Sequence, residues 1–484
     1  MFQTLKNAWK IPELKNKILF TLMIIVLYRL GSSIPMPWVD PAQLEGMFTT
    51  SGGALSWLNL LSGGALAQAT LFALSVSPYI TASIVIQLLT IAIPKFEEWA
   101  KEGEAGKKKL SAITRVLTVV LALVTAIGYT MFLDRNNMMT YGSWSGSTFT
   151  PAEGWELWGA WVARIVLVLA YCAGASIIMW LGEKINEKGI GNGISIILFA
   201  NIIARLPGML GTVIELCFKK NGVQAQTSAG SIVYRGLGGT KLFEGGENYV
   251  WQIVLAVVIC AAVAALLIAS VVVVVWFSNS ERRIPVQYAK RVVGRKMYGG
   301  QSTTLPLKLD MAGVMPVIFA SSIVSILPTV AGFIPGSAAK WLVSFRDFVN
   351  AYLGATSFPY IAIQIILIIA FAYFYIMISF NPVEVSNNLR NNGGAIPGIR
   401  PGKPTVDYIK KILNRITLLG AFFLCGLSCI PMIVNAVWTA IDGYGIPDLS
   451  FGGTSLLIVV GVALETFREL EAQMTLRNYK GFLD

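Results

Sequence analysis

Apolar residues dominate the chain in runs of about the length a helix needs to cross a bilayer, roughly 20 residues. Ten such runs stand out, at 18–34, 73–93, 112–133, 158–180, 194–216, 250–277, 312–331, 358–380, 412–437 and 453–471. Each predicts a membrane-spanning helix, so the fold class is an all-α polytopic membrane protein. Arg205 and Pro207 interrupt the fifth run, and the sixth closes on VVVVVWF (271–277) before a charged loop. The stretch 54–93 differs from the rest. Its first part, Ala54 to Leu66, is apolar but too short to span and is broken by Gly63-Gly64. Its second part is long enough, yet carries Ser75, Ser77, Thr81, Ser83, Gln87 and Thr90. Ser83, Gln87 and Thr90 are spaced i, i+4, i+7 and share one helix face. A hydroxyl or amide turned to lipid finds no partner, so this face should look at protein or water. Ordinary polar contact between helices accounts for the same pattern.

Composition agrees with the pattern. The 484 residues are 55% hydrophobic and 13% charged, where a soluble domain carries about 25% charged residues. Five cysteines lie singly in apolar runs, and none forms a CxxC pair. Cys425 and Cys429 are i, i+4 on one face, a spacing that suits packing. The chain has no histidine. That excludes His-based general acid–base catalysis and His-ligated zinc or haem. Lys6, Lys10, Lys15 and Lys17 precede the first run as in a signal peptide. Pro35-Met36-Pro37 follows instead of a small-residue cleavage site, so the first run is expected to be retained.

The net charge of +12 is explained by its distribution. With ten spans and the N-terminus on one side, 28 of the 38 Lys and Arg residues fall on that side and 7 on the other. The positive-inside rule then places both termini in the cytoplasm. Two loops on that side exceed what topology requires. In 281–310, seven basic residues accompany a segment, Ile284 to Tyr288, expected to form a strand that turns back through Gly299-Gly300. In 381–411, Gly393-Gly394, Pro397-Gly398 and Pro401-Gly402 set turns around Arg400. Lipid headgroups would satisfy such basic loops. Their prolines and glycines favour a shaped surface for a docked partner; if that partner were ribosomal RNA, Arg282, Arg283, Lys290 and Arg291 would meet phosphate. The external loops 134–157 and 217–249 are polar and glycine-rich, without clustered metal ligands.

Little in the spans can carry chemistry. Arg29 lies late in the first, and Glu465 and Arg468 near the cytoplasmic end of the tenth. A proton- or ion-coupled transporter places ionisable groups near the midplane, and none stands there. GIGNG (189–193) lacks the preceding strand of a nucleotide loop and is better read as a helix entry. No Walker A, GxSxG or HExxH pattern occurs, so no enzyme activity is expected. Isoleucines beside small or polar residues, as at Ile80, Ile194 and Ile318, would make a dry, narrow constriction if they met. Core packing places them equally well.

Five motifs, in order, carry a resemblance: PYITASIVIQLL (78–89), EKGIGNGISIILFA (187–200), LPLKLDMAGVMPVIFASSI (305–323), IPGIRPGKPT (396–405) and FGGTSLLIVVGV (451–462). They resemble the bacterial SecY family, the large subunit of the Sec protein-conducting channel, from KIPEL (10–14) nearly to the end of the chain.

The resemblance implies a clamshell of ten helices in two inverted-topology halves, about 1–216 and 250–471, joined by an external loop at 217–249 and followed by a cytoplasmic tail at 472–484. A plug helix would occupy about 54–66, with Ala54, Leu55, Trp57, Leu58, Leu60, Leu61 and Leu66. By motif the pore ring falls on Val76, Ile80, Ile194, Leu198, Ile318 and Ile458, with Val76 and Leu198 departing from an all-isoleucine ring. A lateral gate would open between spans two and three and spans seven and eight, with Ser83, Gln87, Ser321 and Ser322 along it. The loops 278–311 and 381–411 would dock a ribosome or the SecA motor ATPase through Arg282, Arg283, Lys290, Arg291 and Arg400. SecE- and SecG-type small membrane subunits, preproteins bearing signal sequences and membrane lipid complete the implied partners. No cofactor or metal is implied. The expected activity is passive, gated passage of unfolded polypeptide across the bacterial cytoplasmic membrane, with release of transmembrane segments into lipid. A secondary transporter and an intramembrane protease are the competing readings, and each lacks the ionisable site it would need.

Overall fold

The computed structural model describes the chain except residues 1–5, 7, 42–43, 45–58, 60, 146–147, 153–156, 219–222, 227–231, 236–257, 259–260, 262–264, 266–267, 289–290, 294–295, 299–301, 333, 335–339, 354–356, 443–451 and 481–484. Helix α1 (Pro12–Ser32) opens on a proline in its first turn, where the missing N–H costs nothing. Helix α2 (Ser77–Ala92) also starts on a proline. It begins four residues later than the apolar run predicts, because Ser75 takes a left-handed φ of 51° and breaks the chain direction. Pro94 ends it by holding Ile93 extended. The chain then turns by 101° into α3 (Pro94–Lys101), which buries no residue.

The remaining helices of the first half are α4 (Glu104–Arg135), α5 (Leu157–Lys188) and α6 (Gly193–Phe218). Pro207 lies inside α6 instead of ending it; within a membrane, neighbouring helices and side chains re-satisfy the freed carbonyl. Then follow α7 (Ile268–Ser278), α8 (Met315–Gly332), α9 (Lys340–Tyr352), α10 (Phe358–Ser379), α11 (Pro382–Asn391), α12 (Lys403–Asp442) and α13 (Gly452–Lys480). Helices therefore stand at all ten predicted positions. Among the described residues four are long and apolar enough to cross a membrane, and the bent α2–α3 pair makes a fifth. The described apolar parts of α6, α7 and α8 are shorter. The chain is a multi-pass membrane protein.

Helices α3, α9 and α11 were not expected, nor were two short hairpins. Strand β1 (Gly142–Ser145) pairs with β2 (Thr148–Pro151), and β3 (Val223–Gln226) with β4 (Ile232–Arg235). All are short, and their sequences lack the sustained period that identifies an element.

Helices α1, α2, α4, α5 and α6 pack among themselves, as do α8, α10, α12 and α13. The two groups meet along two seams, α2 against α8 and α6 against α13. Two glycines allow close approaches between elements. A methyl group at Gly193 would lie 1.9 Å from the Gly182 carbonyl oxygen, so α5 and α6 touch backbone to backbone there. One at Gly461 would lie 2.0 Å from Val314 Cγ2, which lets α13 close on the turn before α8.

The loop between α7 and α8 holds β5 (Glu281–Tyr288), β6 (Arg291–Val293), β7 (Lys296–Tyr298) and β8 (Ser302–Lys308). Strands β5 and β8 pair antiparallel from Glu281↔Lys308 to Gln287↔Ser302, as the sequence predicts for this segment. The turn at Gly299-Gly300 lies outside the described residues. On its other edge β5 pairs with β9 (Gly394–Ala395) through Gln287↔Ala395 and Tyr288↔Gly394. The two long basic loops thus share one three-stranded sheet.

Candidate functional site

The six residues assigned to the ring come from four helices, and the structure brings them together. Val76, at the N-cap of α2, and Ile80 on α2 meet Leu198 on α6, Ile318 on α8 and Ile458 on α13 in one buried cluster. Ile194, half-buried, packs against it. Their spacing follows from helix geometry: Val76/Ile80 and Ile194/Leu198 are i, i+4 pairs that present one face. Aliphatic side chains from both helix groups thus belong to one hydrophobic core, together with Tyr28, Phe72, Phe319 and Phe371.

Leu61 belongs to the same cluster. Of the other plug residues, Leu66 is buried in a second cluster with Tyr129 and Tyr171 of α4 and α5, and the Tyr129 hydroxyl donates to its carbonyl at 2.6 Å. Ala54, Leu55, Trp57, Leu58 and Leu60 lie outside the described residues. Asn59 and Leu61 are helical, and residues 62–69 form turns. The Asn59 side chain accepts from Ala67 N–H, and Ser62 Oγ accepts from Leu66 N–H, so these turns are closed by local polar groups.

Three further polar residues approach this segment. Asn201 Nδ2 and Ser75 Oγ both donate to the Leu61 carbonyl, at 2.7 and 3.1 Å. The Tyr28 hydroxyl lies against Asn201 and Ser75. In the sequence Ser75 counts only as part of a polar load, and Tyr28, Asn59 and Asn201 do not stand out as site residues. Asn201 does carry a usable signal: it is a lone amide in the apolar run after GNG, where intramembrane polar groups are costly and placed for a reason.

Along the seam between the groups, Ser83 and Gln87 are half-buried on α2, and Ser321 and Ser322 are buried on α8. Their hydrogen bonds close within their own helices: Gln87 Nε2 donates to Ser83 Oγ at 3.4 Å, and Ser321 Oγ to the Val317 carbonyl at 2.8 Å. Helices α2 and α8 touch, but these four side chains do not hydrogen-bond across the seam.

The basic residues occupy the three-stranded sheet and its neighbour loop. Ile284 and Val286 turn inward on β5, and Arg283 lies on the opposite, exposed face. Arg282 is exposed as well, and Arg400 is exposed beyond β9, where its carbonyl accepts from Thr405 Oγ1. Arg291 opens β6 opposite Tyr298, and Lys290 lies outside the described residues. Ile284, Leu307 and Ile396 fix the sheet to Ile409, Leu413 and Ile416 of α12. Beneath the sheet, Arg468 of α13 donates to Ser278 O and to Asn279 Oδ1, and Ser278 Oγ donates to Asp310 at 3.3 Å. Burial pushes the Asp310 carboxyl up and the Lys308 ammonium down. These groups line a cavity of about 370 Å³ between the sheet and the ends of α8, α10 and α13. Among the described residues no cluster of metal-binding side chains occurs.

Known proteins resemble this chain in sequence and fold. The SecY family model matches residues 70–467. A protein translocase subunit SecY of Streptomyces coelicolor is 40% identical over 488 residues, with all of both chains covered. Its counterpart in Halalkalibacterium halodurans is 41% identical over 487 residues, again with both chains fully covered. A solved protein-conducting channel matches with a TM-score of 0.54 at 16% identity, over 95% of this chain and 92% of that one. Sec61 from a canine ribosome–channel complex matches with a TM-score of 0.52 at 15% identity, over the same shares. Full-length identity of this order, with the family model spanning most of the chain, shows that the protein belongs to the SecY family of protein translocase subunits.

Proposed function

We propose that this chain forms the pore through which unfolded polypeptide crosses the bacterial cytoplasmic membrane, with both termini in the cytoplasm. One observation carries the reading: side chains of four helices, two from each helix group, converge on a single buried aliphatic cluster at Val76, Ile80, Ile194, Leu198, Ile318 and Ile458. The halves 1–216 and 250–471 act as the two shells, and the segment 54–66 as the plug. The ring grips by size and dryness, so it passes many sequences while admitting few ions.

The gate works by population shift. A signal sequence or transmembrane segment entering between α2 and α8 stabilises the parted state by the contacts it makes there. The intrahelical hydrogen bonds of Gln87 to Ser83 and of Ser321 to Val317 support this reading, because parting the helices does not break them. Docking supplies the force, since the chain carries no nucleotide-binding motif. The ribosome or a SecA-type motor sits on the sheet through Arg282, Arg283, Lys290, Arg291 and Arg400. A solved relative of this fold is a Sec61 channel in a ribosome complex, which favours the ribosome as one such partner. The hub of Ser278, Asp310 and Arg468 links that sheet to α8 and α13, the helices of Ile318 and Ile458. SecE- and SecG-type subunits complete the assembly.

The test is a photoreactive side chain at Ile318 in the reconstituted complex, with a stalled precursor, the motor and ATP. Crosslinks to the precursor are expected. Their absence with the motor active and the precursor stalled would mean that polypeptide passes elsewhere.

A further inference from the structure

We infer that Asn201 and Ser75 form a polar clasp that seats the plug in the closed channel and releases it when the ring widens. This rests on reading residues 54–66 as the plug. Helix geometry gives out at Leu61: residues 62–69 are turns, and Gly63 and Gly64 have φ of +68° and +94°. The Leu61 carbonyl accepts instead from two side chains, Asn201 Nδ2 at 2.7 Å and Ser75 Oγ at 3.1 Å. Asn201 Nδ2 also stands 3.4 Å from Ser75 Oγ, so donors from two elements share one site. Leu61, Ser75 and Asn201 are each at most 2% exposed, and Tyr28, Phe72, Leu198 and Ile202 surround them. In such surroundings an amide–carbonyl bond is strong, and a donor left bare is costly.

The clasp is also built into the ring. Asn201 follows Leu198 by three positions, one turn of α6, and Ser75 immediately precedes Val76. Parting α2 from α8 to widen the ring leaves both donors in the first helix group, so the plug is released by breaking its two bonds to them. Gly63 fits against Asn201 only without a side chain: a methyl group there would lie 3.1 Å from Asn201 Cα and 3.2 Å from its Cβ. Once the plug leaves, the amide and hydroxyl face a wetted funnel and are solvated. A hydrogen bond nets about two- to tenfold in such an equilibrium, so two of them bias the channel shut by roughly 4–100-fold. A client segment can overcome a bias of that size.

The experiment uses the complete complex in proteoliposomes, reading resting ion flux and motor-driven transport. Asn201→Asp keeps the shape and removes the N–H donor. Asn201→Ala covers the case in which the acid blocks assembly, and Ser75→Gly removes the hydroxyl while accepting the left-handed φ. Each is expected to raise resting flux about two- to tenfold, and the Asn201→Ala/Ser75→Gly pair roughly 4–100-fold, with transport intact. A parallel Gly63→Cys/Asn201→Cys pair, with the five native cysteines changed to alanine, ties the segment to α6. Oxidised, it should seal the channel and stop transport; reduced, it should leak and transport. Wild-type flux in all the clasp variants, with the oxidised pair still blocking transport, overturns the clasp and leaves the plug. Undiminished transport through the oxidised pair overturns the plug reading and the clasp with it.

Discussion

The proposed ring and the proposed plug seat beside it both draw on the same two elements of the first helix group, yet they use opposite chemistry. At the ring, Val76, Ile80, Ile194 and Leu198 offer only hydrocarbon to Ile318 and Ile458. One residue before Val76 and one turn beyond Leu198, Ser75 and Asn201 offer two directed donors to a single carbonyl. Non-directional contact suits a constriction that must close around any polypeptide. Directed hydrogen bonds suit a site that holds one segment in one orientation. A channel needs both, because sealing against many clients and recognising its own plug are different tasks.

The largest change should come from making the ring resemble the seat. Ile458→Asn buries an amide among aliphatic side chains at a cost of about 2–7 kcal/mol, and admitting water relieves it. Resting conductance in planar bilayers should rise by more than about 30-fold; an unchanged conductance would remove Ile458 from the constriction. Next is a change that spares both sites. Arg400→Glu reverses an exposed charge beyond β9, and a central arginine of an interface is worth about 2 kcal/mol or more. Motor-driven transport should fall at least about tenfold, while resting flux stays at the wild-type value. A rise in flux would show that the loop shapes the pore instead of docking a partner.

A smaller effect sharpens the seat alone. Gly63→Ala forces a side chain into a φ of +68° against Asn201, costing about 1–2 kcal/mol. Resting flux should rise a few-fold without loss of assembly on gel filtration. The smallest effect concerns the hub beneath the sheet. Burial holds the Asp310 carboxyl above its ordinary range. The folded state therefore favours its protonated form. That contribution to stability is present below the ordinary carboxylate pKa and is lost as pH rises through the raised value. An Asp310→Asn variant would keep the Ser278 hydrogen bond without the buried charge. Thermal unfolding at pH 7 should shift upward by at most about 1 kcal/mol, with the gain vanishing in acid; a downward shift would assign the carboxylate to an ion pair with Arg468.

Both helix groups were legible in the apolar runs, because a bilayer demands about 20 apolar residues in every spanning helix whatever its neighbours are. The strand at Ile284–Tyr288 was legible through its alternation and its flanking turns. The start of α2 was not, because Ser75 breaks the helix by a backbone angle that no hydrophobic pattern reports. Nor was the pairing of β5 with β9, which joins Gln287 to Ala395 and Tyr288 to Gly394 across several intervening helices.

The same division holds for the site. The sequence by itself determined a membrane chain with two long basic loops, without histidine chemistry, and with aliphatic residues at motif positions of a channel family. Those properties are local sums of solvation and charge, and they survive any arrangement of the helices. Only the tertiary structure decided that the six aliphatic residues share one cluster, that two distant loops make one sheet, and that Asn201 and Ser75 meet on the Leu61 carbonyl. A hydrogen bond depends on tenths of an ångström between groups 140 positions apart, and that separation is set by how helices pack, not by the residues along any one of them.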